Sequence, residues 1–279
     1  MSKINGKAIY SPKGKAGEYA KYACNFYVGC SNDCDYCYCK RGVLGHAMGK
    51  PQATLKKCFK NEEHALEVFK KELSANIVEL QHHGLFFTFT SDPFIDECKR
   101  LTIAAVYEAV GNGVPCKILT KRADFIDDLP REWYINPHYL SRIAFGFTMT
   151  GHDELERGAS TNDERVAAMK TLHMIGFRTF ASIEPVVTID ASMEVIRKAM
   201  RHCNLFKIGL MSGKRNYTPE EVEAFVKSIM SIVIEHNRTN SRNTKVYWKE
   251  SVRDYIDKDC SVIPYCVKSD YNIFNTLPI

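Results

Sequence analysis

The sequence predicts an α/β fold, a partial (β/α)6-type barrel with an additional strand and helix at its C-terminal end. Apolar, β-branched runs alternate with amphipathic helical stretches along most of the 279 residues. Strands separated by helices form parallel sheets, and six or seven such units at this length form a full or partial barrel. No Pro/Gly/Ser-rich linker divides the chain, so we expect one domain over 1–279. We divide it into an N-terminal extension (1–22), a barrel core (23–249) and a C-terminal cap (250–279).

The strands are recognised as short apolar or β-branched runs bounded by turn residues. In chain order they are predicted at 23–29, 85–90, 115–120, 143–148, 178–184, 205–211 and 244–248. The helices between them follow a 3.6-residue periodicity and are predicted at 62–81, 96–111, 162–175, 190–202 and 218–236. The last helix has a clear start signal, because Thr218 directly precedes Pro219 and two glutamates.

The composition is that of an ordinary globular protein, with 45% hydrophobic and 25% charged residues and a net charge of +5. No run of Lys and Arg is clustered enough to indicate a polyanion-binding surface, so a nucleic-acid partner is not favoured. No window approaches the length of apolar sequence that spans a membrane. Eleven cysteines in a chain that begins without an apolar leader indicate a reducing, cytoplasmic location. There they are expected to be metal ligands or free thiols.

The most informative motif is a cysteine-rich loop after the first predicted strand. Cys30, Cys34 and Cys37 have the spacing C-x3-C-x2-C, which places three thiolates on one short loop. Three ligands suit a [4Fe–4S] cluster because they leave one iron open. Thiolates also bind zinc, but a structural zinc site needs a fourth ligand, for which Cys39 or His46 is available. A cluster is the favoured interpretation.

With an aromatic residue, Tyr36, before its last cysteine, this loop resembles the signature of the radical S-adenosylmethionine (SAM) superfamily. The resemblance implies that Cys30, Cys34 and Cys37 bind three irons of a [4Fe–4S] cluster, while the amino and carboxylate groups of SAM bind the fourth. It implies reductive cleavage of SAM to methionine and a 5′-deoxyadenosyl radical, which abstracts hydrogen from a substrate. An electron donor such as flavodoxin or ferredoxin is then an expected partner.

Further stretches over roughly 22–190 are similar to the spore photoproduct lyase-like branch of that superfamily. They are Cys24-Asn25-Phe26-Tyr27-Val28-Gly29-Cys30, Phe89-Thr90-Ser91-Asp92-Pro93-Phe94, Thr120-Lys121, Leu155-Glu156-Arg157-Gly158-Ala159-Ser160 and Ser182-Ile183-Glu184-Pro185-Val186. By this resemblance, Thr90 and Ser91 meet the amino group of SAM, and Lys121 meets its carboxylate. The remaining implied contacts lie around the ribose and adenine: Thr148, Glu184, Tyr36 and Tyr38.

One departure from this branch concerns the substrate. The DNA-repair lyase uses a cysteine just before the Thr-Ser-Asp segment, where this chain has Phe89. Cys98 falls on the following helix, so repair of spore photoproduct is not expected. A second chemistry of the branch is queuine lyase, which releases 7-aminomethyl-7-deazaguanine from queuine. By analogy, the expected function is cleavage of a C–N bond in a small modified nucleobase such as queuine.

A deazaguanine needs an acidic acceptor for its N–H groups and an apolar or aromatic wall for its ring. The candidate substrate contacts of these types are Asp92, Phe94, Asp96, Phe147 and Trp248. Lys249, which pairs in sequence with Glu250 at the end of the last strand, is a further candidate, facing either the substrate or SAM or forming a surface bridge. No residue is assigned a catalytic role.

Two rival functions remain open. One is radical modification or repair of a polymer (tRNA, DNA or a peptide), and the other is a zinc-stabilised binding protein. Cys260 and Cys266 are too few for a second cluster. The polar and aromatic tail at 271–275 is expected either to cover the barrel mouth as a lid or to pack on a helix.

Overall fold

The computed structural model describes residues 3–41, 45–211, 217–256 and 263–275. Its strands are β1 (Ile9–Tyr10), β2 (Ala23–Cys24), β3 (Tyr27–Val28), β4 (Thr54–Leu55), β5 (Leu85–Phe87), β6 (Cys116–Thr120), β7 (Ile143–Thr148), β8 (Arg178–Val186), β9 (Leu205–Leu210) and β10 (Lys245–Trp248). Its α-helices are α1 (Gly45–Met48), α2 (Glu62–Ala75), α3 (Ile77–His83), α4 (Asp96–Gly111), α5 (Arg131–Ile135), α6 (Pro137–Leu140), α7 (Asn162–Ile175), α8 (Ile189–Ala199), α9 (Pro219–Asn240) and α10 (Glu250–Arg253).

The fold is mixed α/β, built on a mostly parallel central sheet. Its eight strands run in the order β1-β2-β5-β6-β7-β8-β9-β10. Only β1 pairs antiparallel, with β2, and every other neighbouring pair is parallel. A separate antiparallel pair is formed by β3 and β4. The parallel sheet with helices between successive strands agrees with the predicted fold class.

The two faces of the sheet bury different side chains. Leu85 and Phe87 of β5 pack in the large core between the sheet and the helices, whereas Phe86 lies on the opposite face. That inner face forms a second apolar cluster with Ala144, Phe180 and other residues. The alternation follows from the two-residue period of a strand. A strand-end residue therefore faces either the helices or the inner side, according to its position in the pleat.

The N-terminal segment before β2 lies against this inner face. The ring of Tyr19 contacts that of Phe86 in β5, and its hydroxyl bonds Ser182 in β8. The same ring lies 4.8 Å from the Lys207 ammonium of β9. Because β6 and β7 lie between β5 and β8 in the sheet, contact of one side chain with both β5 and β8 means that the sheet curves around this segment.

Two predicted elements are divided in the structure, each at an asparagine. The predicted strand 23–29 becomes β2 and β3, because the Asn25 side chain accepts from the Phe89 N–H and donates to the Tyr10 hydroxyl. The predicted helix 62–81 becomes α2 and α3 at Asn76, whose side chain donates to the Glu72 carbonyl. Asparagine side chains compete with regular backbone pairing in this way. The start of α9 is as predicted, since Thr218 forms a capping box with Glu221.

The C-terminal segment packs at the far end of the sheet from the strand ends that carry the predicted site. Ile273 is buried in the inner cluster, and the Phe274 carbonyl accepts from Arg178, the first residue of β8. The segment is therefore not a lid over those strand ends. Cys260 lies outside the described residues. No helix in the described part of the chain is long and apolar enough to cross a bilayer.

Candidate functional site

A cavity of about 480 Å³ opens at the carboxyl ends of the parallel strands. Residues near the ends of several strands, and loops that follow some of them, line this cavity, as expected for this class of sheet. All three motif cysteines and all seven residues implied to contact SAM line it: Cys30, Cys34, Cys37, Tyr36, Tyr38, Thr90, Ser91, Lys121, Thr148 and Glu184. Two predicted substrate residues, Asp92 and Lys249, also line it.

The cysteine loop is held in place from two sides. On one side the Cys30 N–H donates to the Lys50 carbonyl at 3.0 Å. Gly29 before it has φ +89°, and a Cβ there would lie 2.3 Å from the Gln52 carbonyl oxygen, so only glycine fits. On the other side Asp35 N–H donates to the Leu155 carbonyl at 2.9 Å. The loop is thus fixed between the segments after β3 and β7.

The three thiols lie in different electrostatic surroundings. Burial raises the pKa of Cys30 to about 12 and also raises that of Cys34. A hydrogen bond from Cys39 lowers the pKa of Cys37 to about 6, with a further contribution from Lys121. Thiolates are the form that binds metals, and a nearby cation favours them. Lys121 is the cation that this cavity supplies to all three.

Both carboxylate oxygens of Asp92 accept hydrogen bonds from other parts of the site. Its carboxylate accepts from the Thr120 hydroxyl at 2.6 Å, the Lys121 N–H at 2.7 Å and the Asn32 side chain at 2.8 Å. It also accepts from the Phe94 N–H at 3.0 Å. Four donors occupy both oxygens, so Asp92 ties the cysteine loop to the ends of β5 and β6. It is a brace of the site, and the predicted role as substrate acceptor does not fit.

A second brace joins the cysteine loop to β7 and α7. The Tyr36 hydroxyl and the Arg165 guanidinium both donate to the buried carboxylate of Glu156. Arg165 also donates to the carbonyl of Thr148, at 2.5 Å.

The pKa of Lys121 is raised above its ordinary value. Burial lowers this pKa, but the negative charges of the neighbouring Cys34 and Glu156 raise it by more. Lys121 therefore stays charged at the cavity wall.

The opposite wall carries a hydrogen-bonded acid–base network. Glu184 accepts, at Oε2, from the Tyr19 hydroxyl at 2.7 Å and the Lys249 ammonium at 2.5 Å. Lys249 also pairs with Glu18 at 3.1 Å, and the Tyr19 oxygen lies 2.6 Å from the Ser182 hydroxyl. Tyr19 and Glu18 come from the N-terminal segment, which was predicted to be an extension outside the barrel core. Nothing in the sequence pattern indicates these contacts, because they join positions more than 150 residues apart.

Four of the predicted substrate residues lie away from the cavity. Phe147 and Trp248 are buried in the core between the sheet and the helices. Successive side chains of a strand point to opposite faces, so the next residues, Thr148 and Lys249, face the cavity instead. Phe94 stacks on Phe125 with ring centroids 3.8 Å apart in the same core. Asp96 is exposed at the start of α4, where it pairs with Lys99. Aromatic walls must instead come from residues such as Phe89, which does line the cavity.

Within the described residues, no group of three or more His, Cys, Asp or Glu side chains is arranged to hold a single metal ion. A [4Fe–4S] cluster takes one cysteine per iron, so its ligands surround a cube rather than converge on one ion. Three cysteines on one loop at the edge of a cavity, beside the half-buried cation Lys121, fit such a cluster. Cys39 contacts Cys37, and its sulfur lies 3.7 Å from the Phe89 carbonyl oxygen.

Comparisons with known proteins relate the chain to few others. No protein-family model matches it. It is 24% identical over 277 residues to an uncharacterized protein of Methanocaldococcus jannaschii. This alignment covers 95% of this chain and 96% of that protein. Among solved structures it is similar to Streptococcus suis SuiB bound to the precursor peptide SuiA, with a TM-score of 0.51, 10% identity and 84% of this chain covered.

The match to SuiB bound to S-adenosylmethionine has a TM-score of 0.46, 9% identity and 68% of this chain covered. The chain spans about half the length of the SuiB structures, 52% of the peptide-bound chain and 45% of the SAM-bound one. At these identities the likeness concerns the fold. The chain therefore shares with peptide-bound SuiB an α/β architecture around a mostly parallel sheet.

Proposed function

We propose that the protein is a radical SAM enzyme with the partial (β/α)6-type barrel of that superfamily. The observation that carries the proposal is the common cavity of the C-x3-C-x2-C cysteines and Lys121, Thr148 and Glu184. These residues are far apart in sequence: Lys121 follows β6, Thr148 ends β7 and Glu184 lies near the C-terminal end of β8. The fold shared with SuiB and the curvature of the sheet around Tyr19 support the same proposal.

In this proposal Cys30, Cys34 and Cys37 hold a [4Fe–4S] cluster. When bound, such a cluster supplies the electron that cleaves SAM to methionine and a 5′-deoxyadenosyl radical. The protein binds, orients and excludes water. Lys121, half-buried at the cavity wall and charged, would pair with the SAM carboxylate. Its ammonium lies 5.4 Å from the centre of the Tyr36 ring, which confines it to that wall.

For the substrate we propose a modified nucleobase, queuine being the preferred candidate, with C–N bond scission as the reaction. With Asp92 fully occupied, Glu184 is the acid that can accept from the N–H groups of a base or of the SAM adenosine. Phe89 and Leu119 supply apolar lining. A cavity of about 480 Å³ is in the range that binds small molecules.

A polymer substrate is the second candidate, and one observation favours it. Three exposed cations that form no ion pair within the described residues lie on the cavity lining: Lys13, Arg41 and Lys50. Such a rim attracts a phosphate backbone. This version predicts RNA or DNA binding that weakens steeply with salt, whereas a free nucleobase binds with little salt dependence.

The test is product formation by protein purified without oxygen and reconstituted with iron and sulfide. With SAM, a reductant and queuine, we expect 7-aminomethyl-7-deazaguanine. Deuterium placed on the cyclopentenyl side of queuine should appear in 5′-deoxyadenosine. If SAM is cleaved but queuine is unchanged, the nucleobase proposal fails and the polymer candidate is tested with tRNA. A colourless protein with stoichiometric zinc that never cleaves SAM contradicts the radical SAM proposal.

A further inference from the structure

We propose that Tyr19 is a positioning residue of the site, which holds the Glu184 carboxylate so that its Oε1 oxygen stays available to SAM. The inference rests on the proposed function, since it assigns a role toward SAM. It brings the N-terminal segment, outside the predicted barrel core, into the working part of the molecule.

The hydrogen bonds to the Glu184 carboxylate fall on one of its two oxygens, Oε2. Tyr19 and Lys249 both donate to Oε2, and within the described part of the chain Oε1 accepts no hydrogen bond. A phenol has a single hydrogen, so Tyr19, donating to Glu184, must accept from Ser182. This chain of hydrogen bonds, from Ser182 to Tyr19 to Glu184, fixes the orientation of the three side chains. Glu184 lines the cavity, and in this proposal its open oxygen accepts from a ligand hydroxyl or amine.

Two lysines of the sheet, Lys207 (buried) and Lys117 (half-buried), donate to backbone carbonyls of the segment that carries Tyr19. Lys207 donates to the Glu18 carbonyl at 3.1 Å, and Lys117 donates to the Tyr19 carbonyl at 3.0 Å. The Glu18 side chain accepts from the Glu250 N–H at 2.9 Å and pairs with Lys249. Tyr19 thus has a fixed backbone, and its hydroxyl cannot follow a displaced carboxylate.

Gly209 leaves space beside the Glu184 carboxylate and the Lys249 side chain. Gly209 in β9 has no side chain, and a Cβ there would lie 3.1 Å from Glu184 Oε1 and 3.0 Å from Lys249 Cδ. The absence of that carbon leaves room for the carboxylate and the lysine stem. Burial raises the pKa of Tyr19, so its hydroxyl remains a donor across the neutral range.

The experiment measures equilibrium binding of SAM to the cluster-loaded protein by calorimetry, without reductant, so that no turnover occurs. Tyr19→Phe keeps the ring and removes the hydroxyl, and we expect it to weaken SAM binding about five- to tenfold. In an E184Q background the same change should have no further effect, because Tyr19 acts through Glu184. Tyr22→Phe is the matched control: its hydroxyl bonds Glu79 away from the cavity, and SAM binding should not change.

Wild-type affinity in Tyr19→Phe, or additive losses in the double variant, would overturn the role of Tyr19. A fall in melting temperature with unchanged SAM affinity would mean that the hydroxyl is only structural, which also overturns it. If Tyr19→Phe does not fold, Ser182→Ala removes the donor to the Tyr19 oxygen and should weaken SAM binding in the same direction. A wild-type, cluster-loaded protein that binds no SAM would contradict the proposed function itself.

Discussion

The guanidinium of Arg165 pairs with the carboxylate of Glu156, and neither side chain has any exposure to solvent. Arg165 also donates to the backbone carbonyls of Thr148 and Ser160, and Glu156 accepts from Tyr36 in the cysteine loop. One buried ion pair therefore connects the end of β7, the start of α7 and the loop that holds the three cysteines. The geometry of the cysteine loop depends on a contact outside that loop.

Replacing Arg165 by Met should destabilise the protein strongly. It leaves the Glu156 charge buried and unpaired, which costs about 3–5 kcal/mol. Urea denaturation measures the change in unfolding free energy, and iron content after reconstitution should fall with it. The matched control is Arg157→Met: its pair with Asp35 is exposed, so the cost should stay below about 1 kcal/mol. Equal losses in the two variants would contradict the structural role of the buried pair.

Asp92→Asn should impair assembly of the site. Four donors point at the carboxylate, and an amide places its own donors against at least one of them. We expect a loss of about 1–3 kcal/mol in unfolding free energy and weaker retention of iron. Asp96→Asn, four residues along and exposed, should change stability by less than about 0.5 kcal/mol. An Asp92→Asn protein that is as stable and iron-rich as wild type would show that the hydrogen bonds are not needed.

The cysteines should divide into ligands and spare thiols. Alanine at Cys30, Cys34 or Cys37 should abolish the visible absorption of the reconstituted protein and most of its iron. Alanine at Cys39 should leave both unchanged, although this thiol contacts Cys37. Loss of bound metal in Cys39→Ala, with zinc rather than iron in the wild type, would support a four-ligand zinc site instead.

A histidine on the far side of the protein should make stability depend on pH. Burial, helped by Arg242 and His202, lowers the pKa of His173 from 6.5 to about 4. Its neutral form is favoured in the folded state, so this contribution is complete above pH 6.5 and is lost as the pH falls toward 4. The slope for one proton is about 1.4 kcal/mol per pH unit. His173→Gln should flatten the profile between pH 6.5 and 4 in urea denaturation, whereas His46→Gln, at an exposed position, should not.

Local patterns in the sequence anticipate much of this structure. The run Ile143–Thr148 forms β7 at its predicted bounds because all six residues are buried, and a fully buried strand has a continuous apolar signature. Thr218 begins α9 because capping is decided within four residues. The cysteine spacing, likewise local, correctly brings Cys30, Cys34 and Cys37 to one cavity.

Features that depend on tertiary contacts could not be anticipated. Phe147 was expected at the substrate because it lies at a strand end, yet the pleat sends Thr148, not Phe147, to the cavity. A one-residue difference in register decides this, and the sequence pattern of a fully buried strand does not show it. Tyr19 reaches Glu184 across 165 positions, a contact that only the folded sheet creates.

The most direct test of the account is formation of 5′-deoxyadenosine from SAM by the iron-reconstituted protein under a strong reductant. We expect a brown protein with about four irons per chain, which forms 5′-deoxyadenosine, and a Cys34→Ala variant that forms none. A wild-type protein that carries the cluster but yields no more 5′-deoxyadenosine than Cys34→Ala would contradict the radical SAM proposal.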